Sequence, residues 1–339
     1  MFEAKGRITI LVAVYNTEPY LRECLDSLIN QTYNNLQIIC IDDASTDGSL
    51  AILHEYAKRD NRILVLQNKT NSGQSKTRNH GLKYAIGDYI TMVDSDDFLA
   101  PDTFEHIINV FDKNPLTDCV LFDFIRFWDN GETEPYANNT DKTVFSGEEA
   151  MRLSLDWSIH GVYVIRADIH KKYPYDESTR YTADDITTKQ HFFSSREVRL
   201  SSGKYFYRQR SESISNAITI RRFDVFIADL ALKNHLENLG VNREILSIHE
   251  RIRWYSLINH WIFFTENKSH FTKEEQNKII ASFDFHASTI DKSLIPTSQK
   301  LRTLYIPFLG TKGMKFWAIF YSKIRKIVPS ALFRKRIQF

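Results

Sequence analysis

The chain reads as an α/β protein built on a mostly parallel central sheet with helices on both faces, followed by a helical C-terminal extension. Three observations predict this. Short apolar, β-branched runs alternate with segments of helical periodicity over roughly the first 115 residues. The runs are apolar throughout rather than every second residue, as in strands covered on both faces. Each of three runs ends in polar residues, so separate segments deliver polar groups to one sheet edge, where ligands of such sheets bind.

The elements follow in order. Residues 7–15 (RITILVAVY) form a buried strand, broken by Asn16-Thr17-Glu18-Pro19, which opens a helix with Leu21, Leu25, Leu28 and Ile29 on its inner face. Leu36 to Ile41 is a second strand ending at Asp42-Asp43, and Ser45-Thr46-Asp47-Gly48 is expected to cap the next helix. Ile63 to Gln67 is a third strand, Asn71-Ser72-Gly73 a turn, and Gln74 to Ala85 a helix. Asp88 to Val93 is a fourth strand ending at Asp94-Ser95-Asp96-Asp97, with Pro101 near the start of another helix. Further strands are expected at Asp118–Trp128, Trp157–Arg166 and Val198–Arg208, around a helix near Asp185–Phe193. From about Arg221 helical patterns dominate. The expected division is 1–215, with halves 1–115 and 116–215, and a mainly helical region 216–339.

Composition is that of a soluble globular protein, with 42% apolar and 25% charged residues. No run of 18 uninterrupted apolar residues offers a membrane-spanning helix, and the opening residues do not read as a signal peptide. The three cysteines, Cys24, Cys40 and Cys119, have no metal-ligand spacing and read as buried thiols in a cytoplasmic protein. Net charge is +2, but its distribution is lopsided. After Asp291 there is no acidic residue, and eleven of the 44 Lys and Arg side chains lie there. The body is therefore acidic and the tail basic.

Candidate chemistry gathers at the strand ends. Asp94 and Asp96 are alternate residues of a tight turn and can point together. Paired carboxylates repel unless a cation lies between them, and Mg²⁺ or Mn²⁺ accepts a few carboxylates plus substrate phosphate oxygens. The competing reading is a helix cap. Asp42 and Asp43 can take the imide N–H of a base or a ribose hydroxyl, or form an Asx turn. Lys76 and Arg78 can meet a diphosphate or lie on a solvated helix face. Asp184-Asp185 before a helix offers a general base or a cap. Tyr207-Arg208-Gln209-Arg210 offers a further cation, while His160 and His191 read as structural histidines. No G-x-G-x-x-G, P-loop or G-x-S-x-G pattern is present, which argues against dinucleotide dehydrogenases, P-loop enzymes and α/β-hydrolases.

Three stretches carry a family resemblance: ILVAVYNTEPYLRECLDSLINQTYNNLQIICIDDASTDGS (10–49), NSGQSKTRNHGLKYAIGDYITMVDSDD (71–97) and RYTADDITTKQHF (180–192). In them the chain resembles family 2 glycosyltransferases over roughly residues 7–215. The resemblance implies the GT-A fold and an inverting, metal-dependent transfer from a nucleotide-sugar, usually a UDP-sugar, to a glycan or lipid-linked glycan in surface polysaccharide synthesis. It implies that Ala13, Tyr15, Asn16, Asp42 or Asp43 meet the nucleoside, and that Lys76, Arg78, Ser95 and Arg210 meet the rest of the donor. Asp94 and Asp96 would form the DXD motif, with Asp96 the metal ligand, and Asp185 of the Asp184-Asp185 pair would be the base. Ala13 stands where the family commonly has proline, and Asp184 where it has glutamate.

Two rivals are a sugar nucleotidyltransferase and a non-catalytic nucleotide-sugar-binding protein. The first normally carries a Gly-rich basic loop after its first strand, where this chain has Tyr15-Asn16-Thr17-Glu18; the second would be expected to have lost a carboxylate cluster. Residues 310–339 mix Trp317, Ile319, Phe320, Tyr321 and Ile324 with lysines and arginines. Such a helix either lies on an anionic membrane or packs on the acidic body as a lid. Nothing elsewhere in the chain favours nucleic acid.

Overall fold

The computed structural model describes residues 6–177, 183–209, 218–305 and 309–325. The first half runs β1 (Ile8–Val14), α1 (Glu18–Ile29), β2 (Leu36–Asp42), α2 (Ser49–Arg59), β3 (Ile63–Gln67), α3 (Gln74–Leu82), β4 (Tyr89–Met92), β5 (Phe98–Leu99) and α4 (Thr103–Lys113). Then follow β6 (Thr117–Phe127), β7 (Thr133–Pro135), β8 (Val144–Ser146), α5 (Gly147–Leu155), β9 (Tyr163–Arg166), α6 (Ala167–Lys172), α7 (Ala183–Ser194) and β10 (Glu197–Arg208). The remaining helices are α8 (Val225–Asn238), α9 (Arg243–Glu266), α10 (Lys273–Ser288), α11 (Thr297–Arg302) and α12 (Gly310–Arg325). The chain divides into two compact units, Met1–Ser211 and Glu212–Phe339.

In the first unit the strands form one sheet in the order β3-β2-β1-β4-β9-β6-β10-β5. The β3-β2-β1-β4 run is parallel, and β6 pairs with β10 in parallel. β9 is antiparallel to both β4 and β6, and so joins the two parallel blocks. The expected α/β class is thus borne out, with a mixed centre.

β1 shows why its run is apolar throughout. Ile8, Ile10, Val12 and Val14 face Leu21, Leu25 and Leu28 of α1, with Leu53 and Tyr56 of α2 and Phe104 of α4 in the same core. Leu11 faces the other way with Ile39 and Ile41, beneath Leu82 and Ala167. Each face of the strand therefore has its own cover, and its one buried polar side chain, Thr9, is hydrogen-bonded to Gln37 and Gly87.

Local chemistry corrects three boundaries. The strand expected from Trp157 shrinks to β9, because Trp157 takes a left-handed φ of 61° and the Asp156 carboxylate accepts the Ser158 N–H. α3 stops at Leu82, and its end closes through tight turns at Tyr84 and Ala85. Ser45 does not cap α2. Its hydroxyl accepts the Asn16 N–H, while Asp47 accepts from Ser49 N and from Glu18 N, tying the starts of α2 and α1 together.

The second unit packs around Trp254, Leu257, Ile258, Trp261, Phe264 and Phe283. Asn242 caps α9, and Thr272 with Glu275 forms a capping box on α10. Glu250, buried on α9, is neutralised by Lys233 at 2.6 Å and Arg253 at 3.0 Å, so no uncompensated charge remains there.

His160 is structural, as expected. Its Nδ1 accepts the Val162 N–H and its Nε2 therefore donates to the Phe122 carbonyl, with the ring stacked on Phe124. Burial pushes it down to about 4 from 6.5. The unfolded chain thus binds a proton that the folded chain refuses, and stability falls as pH drops from 6.5 toward 4. His160→Gln should lose about 2 kcal/mol less unfolding free energy than wild type between pH 7 and pH 5. Urea titrations at the two pH values check this; equal losses would remove His160 as the cause.

Candidate active site

The carboxyl ends of β2, β1 and β4 lie side by side. Val14 is in register with Asp42, and the Val93 N–H reaches the Leu11 carbonyl at 3.1 Å. Ala13 is half-buried and Tyr15 is 48% exposed at this edge. Asn16 has a φ of 52° and accepts the Thr46 N–H at 2.8 Å, so it shapes the turn. Asp42 and Asp43 are buried. Asp42 accepts the Ser45 N–H, three residues on, with both oxygens at 3.3 Å, so it closes the loop after β2 without forming the two-residue Asx turn. Asp43 accepts from Ser72 N and Gly73 N, each at 2.9 Å, and from Asn68 Nδ2 at 2.8 Å. It thereby holds the loop that enters α3. Gly73 has a φ of 84°, a conformation costly for any side chain.

At the end of β4 the chain turns through Asp94 to Asp97, closed by the Asp97 N–H on the Asp94 carbonyl at 3.0 Å. Asp97 does not cap the following helix; Asp102 stands at that position. The Asp97 carboxylate instead points inward and accepts from Tyr205 OH at 2.7 Å and from Arg208 N at 2.8 Å. Burial pushes the Asp97 carboxyl well above the usual range, and the charges of Asp94 and Asp96 push the same way. Ser95 is also buried, its hydroxyl accepting from Thr17 Oγ1 at 3.0 Å. Asp94 and Asp96 are left half-buried at the edge.

β10 clamps this turn. The Tyr205 oxygen also accepts the Asp94 N–H at 3.1 Å, and Arg208 Nε donates to the Asp96 carbonyl at 3.0 Å. The Arg208 guanidinium lies among the rings of Tyr20, Phe98 and Phe127 and pairs with Glu23 and Asp129. It is a buried support, not the phosphate contact that its place in Tyr207-Arg208-Gln209-Arg210 allows. Arg210 itself lies outside the described residues.

Arg78 is fully buried, which removes the solvated-face reading. Its Nη2 donates to Asp94 Oδ1 at 2.6 Å, and Gln74 Nε2 donates to the same oxygen at 2.9 Å. α3 can lie this close to the sheet because of Gly81, where a Cβ would meet Ile41 Cδ1 at 2.6 Å. Lys76, on the same helix, is exposed.

Asp185 lies in the first turn of α7, half-buried. Lys189, one turn on, is buried and pairs with Asp185 Oδ1, while also donating to the Ser154 carbonyl at 3.1 Å. The ammonium fixes the carboxylate's direction. Asp184 sits beside it at the start of the helix, its side chain outside the described ones. α7 is tied back toward α3. Asp176 N donates to Thr187 Oγ1 at 2.9 Å, Asn79 bonds Tyr175 and Glu177, and Arg78 lies under the Tyr175 ring at 5.4 Å.

The structure therefore brings Tyr15, Asp42, Asp43, Arg78, Asp94 and Asp96 to one edge. Tyr205 and Lys189 were missed by the sequence reading, and Arg208 was read there only within a segment offering a cation for phosphate. Lys189 had a local signal, the Asp-to-Lys spacing of one helical turn. Tyr205 and the supporting role of Arg208 had none, since both residues lie more than a hundred residues from the turn they hold. Among the described residues no cluster of three or more His, Cys, Asp or Glu side chains could hold a metal ion. Any cation held by Asp94 and Asp96 would have to be shared with substrate phosphates, the usual manner of Mg²⁺, rather than held in an all-protein cage.

Known proteins give this arrangement a family. Residues 9–173 match the model of Glycosyl transferase family 2. The chain is 30% identical over 220 residues to the glycosyltransferase GlyG of Streptococcus pneumoniae, covering 61% of this chain and 72% of that protein. It is 43% identical over 127 residues to EpsH of Bacillus subtilis, named a glycosyltransferase, covering 37% of this chain and 36% of that one. The chain thus spans about a third of EpsH. The fold matches residues 1–349 of S. aureus TarS, crystallised with UDP-GlcNAc, at a TM-score of 0.71 and 21% identity over 95% of this chain and 92% of that one. The chain belongs to glycosyl transferase family 2, as its motifs led us to expect.

Tyr205→Phe removes the donor to Asp97 and the acceptor for Asp94 N, both in a buried setting. It should cost about 1–3 kcal/mol of stability in urea unfolding. A change below about 0.5 kcal/mol would mean that the phenol does not support the turn.

Proposed function

We propose that this chain transfers a sugar from a UDP-sugar to a hydroxyl of a glycan or lipid-linked glycan, with inversion at the anomeric carbon. The observation that carries the reading is the Asp94–Asp97 turn, held with Asp94 and Asp96 at the edge that also bears Tyr15, Asp42 and Asp43. The UDP-GlcNAc in the TarS crystal supports the donor class. Residues 1–115 would take the donor and 116–215 the acceptor.

In this reading the exposed Tyr15 ring packs on the base, and Asp42 or Asp43 accepts from the nucleoside. Asp96, with Asp94, would hold Mg²⁺ or Mn²⁺ against the donor's phosphate oxygens, which would neutralise charge on the leaving diphosphate. Arg78 pairs with Asp94 and aims its carboxylate. Asp185 takes the proton of the acceptor hydroxyl as that oxygen bonds to the anomeric carbon. The bond from that carbon to the diphosphate breaks on the opposite face, and its electron pair leaves with UDP. Lys189 positions Asp185 for this step. Arg210 would meet the diphosphate.

Asp185→Asn should lower transfer by about 10²–10⁴-fold while UDP binding by calorimetry stays unchanged. Parallel loss of binding would sink the base assignment. Asp96→Ala should abolish the Mn²⁺ enhancement of UDP binding; binding that responds equally to chelator in variant and wild type would refute its role. Hydrolysis of a panel of UDP- and GDP-sugars tests the donor class, and no turnover of any would favour a binding protein.

A further inference from the structure

The tail helix left two readings open in the sequence, a packed lid and a membrane-facing helix. α12 has a separate face for each. Met314 and Ala318 are buried in the core of the second unit, with Trp317 and Tyr321 packed against it. Lys315 on the same side pairs with Asp284 at 2.6 Å and lies over the Trp261 ring. This face is already occupied by its own unit.

The opposite face carries Phe316, 66% exposed, Phe320, 53% exposed, and Ile319, also exposed, with exposed Leu309 just before the helix. Lys312 and Lys323 are exposed at its two ends. The five helical residues recur at helical spacing and fall on one arc of the helix. Two phenylalanines and an isoleucine side by side in water are not the ordinary scatter of single apolar residues on a surface.

We infer that this ridge docks on an anionic lipid bilayer, the helix lying in the interface with its phenylalanines among the acyl chains and its lysines at the headgroups. Charge selects this occupant. α12 contains no acidic residue, and none follows Asp291. A second copy would press one lysine-bracketed ridge against another, with like charges facing. An anionic headgroup layer matches both the apolar centre and the cationic ends. The inference is independent of the transfer reaction, and its test needs no acceptor.

The test is sedimentation of the full chain with phosphatidylcholine vesicles, with and without phosphatidylglycerol. Wild type should pellet with the anionic vesicles, and high salt should weaken this. Phe316→Ser with Phe320→Ser, and separately Lys312→Glu with Lys323→Glu, should each weaken partitioning roughly tenfold or more. Phe285→Ser, an equally exposed ring on α10, should leave it unchanged. Because all five side chains are exposed, circular dichroism should show each variant folded. Wild type remaining in the supernatant, or ridge variants that pellet like wild type, would overturn the inference. So would a dimer seen by light scattering that the phenylalanine variants dissolve, which would assign the ridge to a second copy.

Discussion

The candidate site depends on one buried carboxyl. Asp97 turns inward at the end of β4 and is received by the Tyr205 hydroxyl and the Arg208 backbone N–H. Burial and the two neighbouring aspartates oppose its ionisation, so the turn would not keep this shape without those donors. Because Asp97 is pulled in, Asp94 and Asp96 remain at the edge. Arg208 then closes the arrangement from below, its guanidinium held between aromatic rings and two carboxylates while its Nε fixes the Asp96 carbonyl. The acidic turn is thus a rigid presentation of two charges, built by a strand that joins the sheet last in the chain.

A second constraint runs through α3. Gly81 lets the helix approach the sheet, and this brings the buried Arg78 to Asp94. The same helix reaches Tyr175 and Glu177 through Asn79, and Thr187 links the neighbouring Asp176 to α7. The proposed donor turn and the proposed base are therefore tied through one chain of packed and hydrogen-bonded groups. Lys189 gives Asp185 the kind of fixed partner that Arg78 gives Asp94. In each case a buried cation holds a half-buried acidic group in one direction, and removing the carboxylate would take a charge partner from a cation that solvent does not reach.

The first four strands and their helices were legible because each is a local pattern: an apolar run long enough to be covered on both faces, then a 3.6-residue period. The carboxylates were legible because they end those runs. The short strands β5, β7 and β8 and the helices α5 and α6 were not anticipated. β5 is two residues long and exists only because Phe98 and Leu99 pair with Phe206 and Tyr205 of β10. The expected strand from Trp157 failed for a local reason, the left-handed backbone at that residue, which its side chain does not announce.

By itself, the sequence determined the α/β class, the edge on which the polar residues gather, and the amphipathic period of the last helix. These follow from short-range spacing and from the rule that apolar runs must be covered. Only the tertiary structure decided which aspartate turns inward, that Arg78 serves Asp94, that Arg208 is a buried support, and that α12 has one packed face and one bare one. Each of those outcomes depends on partners distant in the chain, and hydrogen-bond satisfaction and burial are settled only when those partners meet.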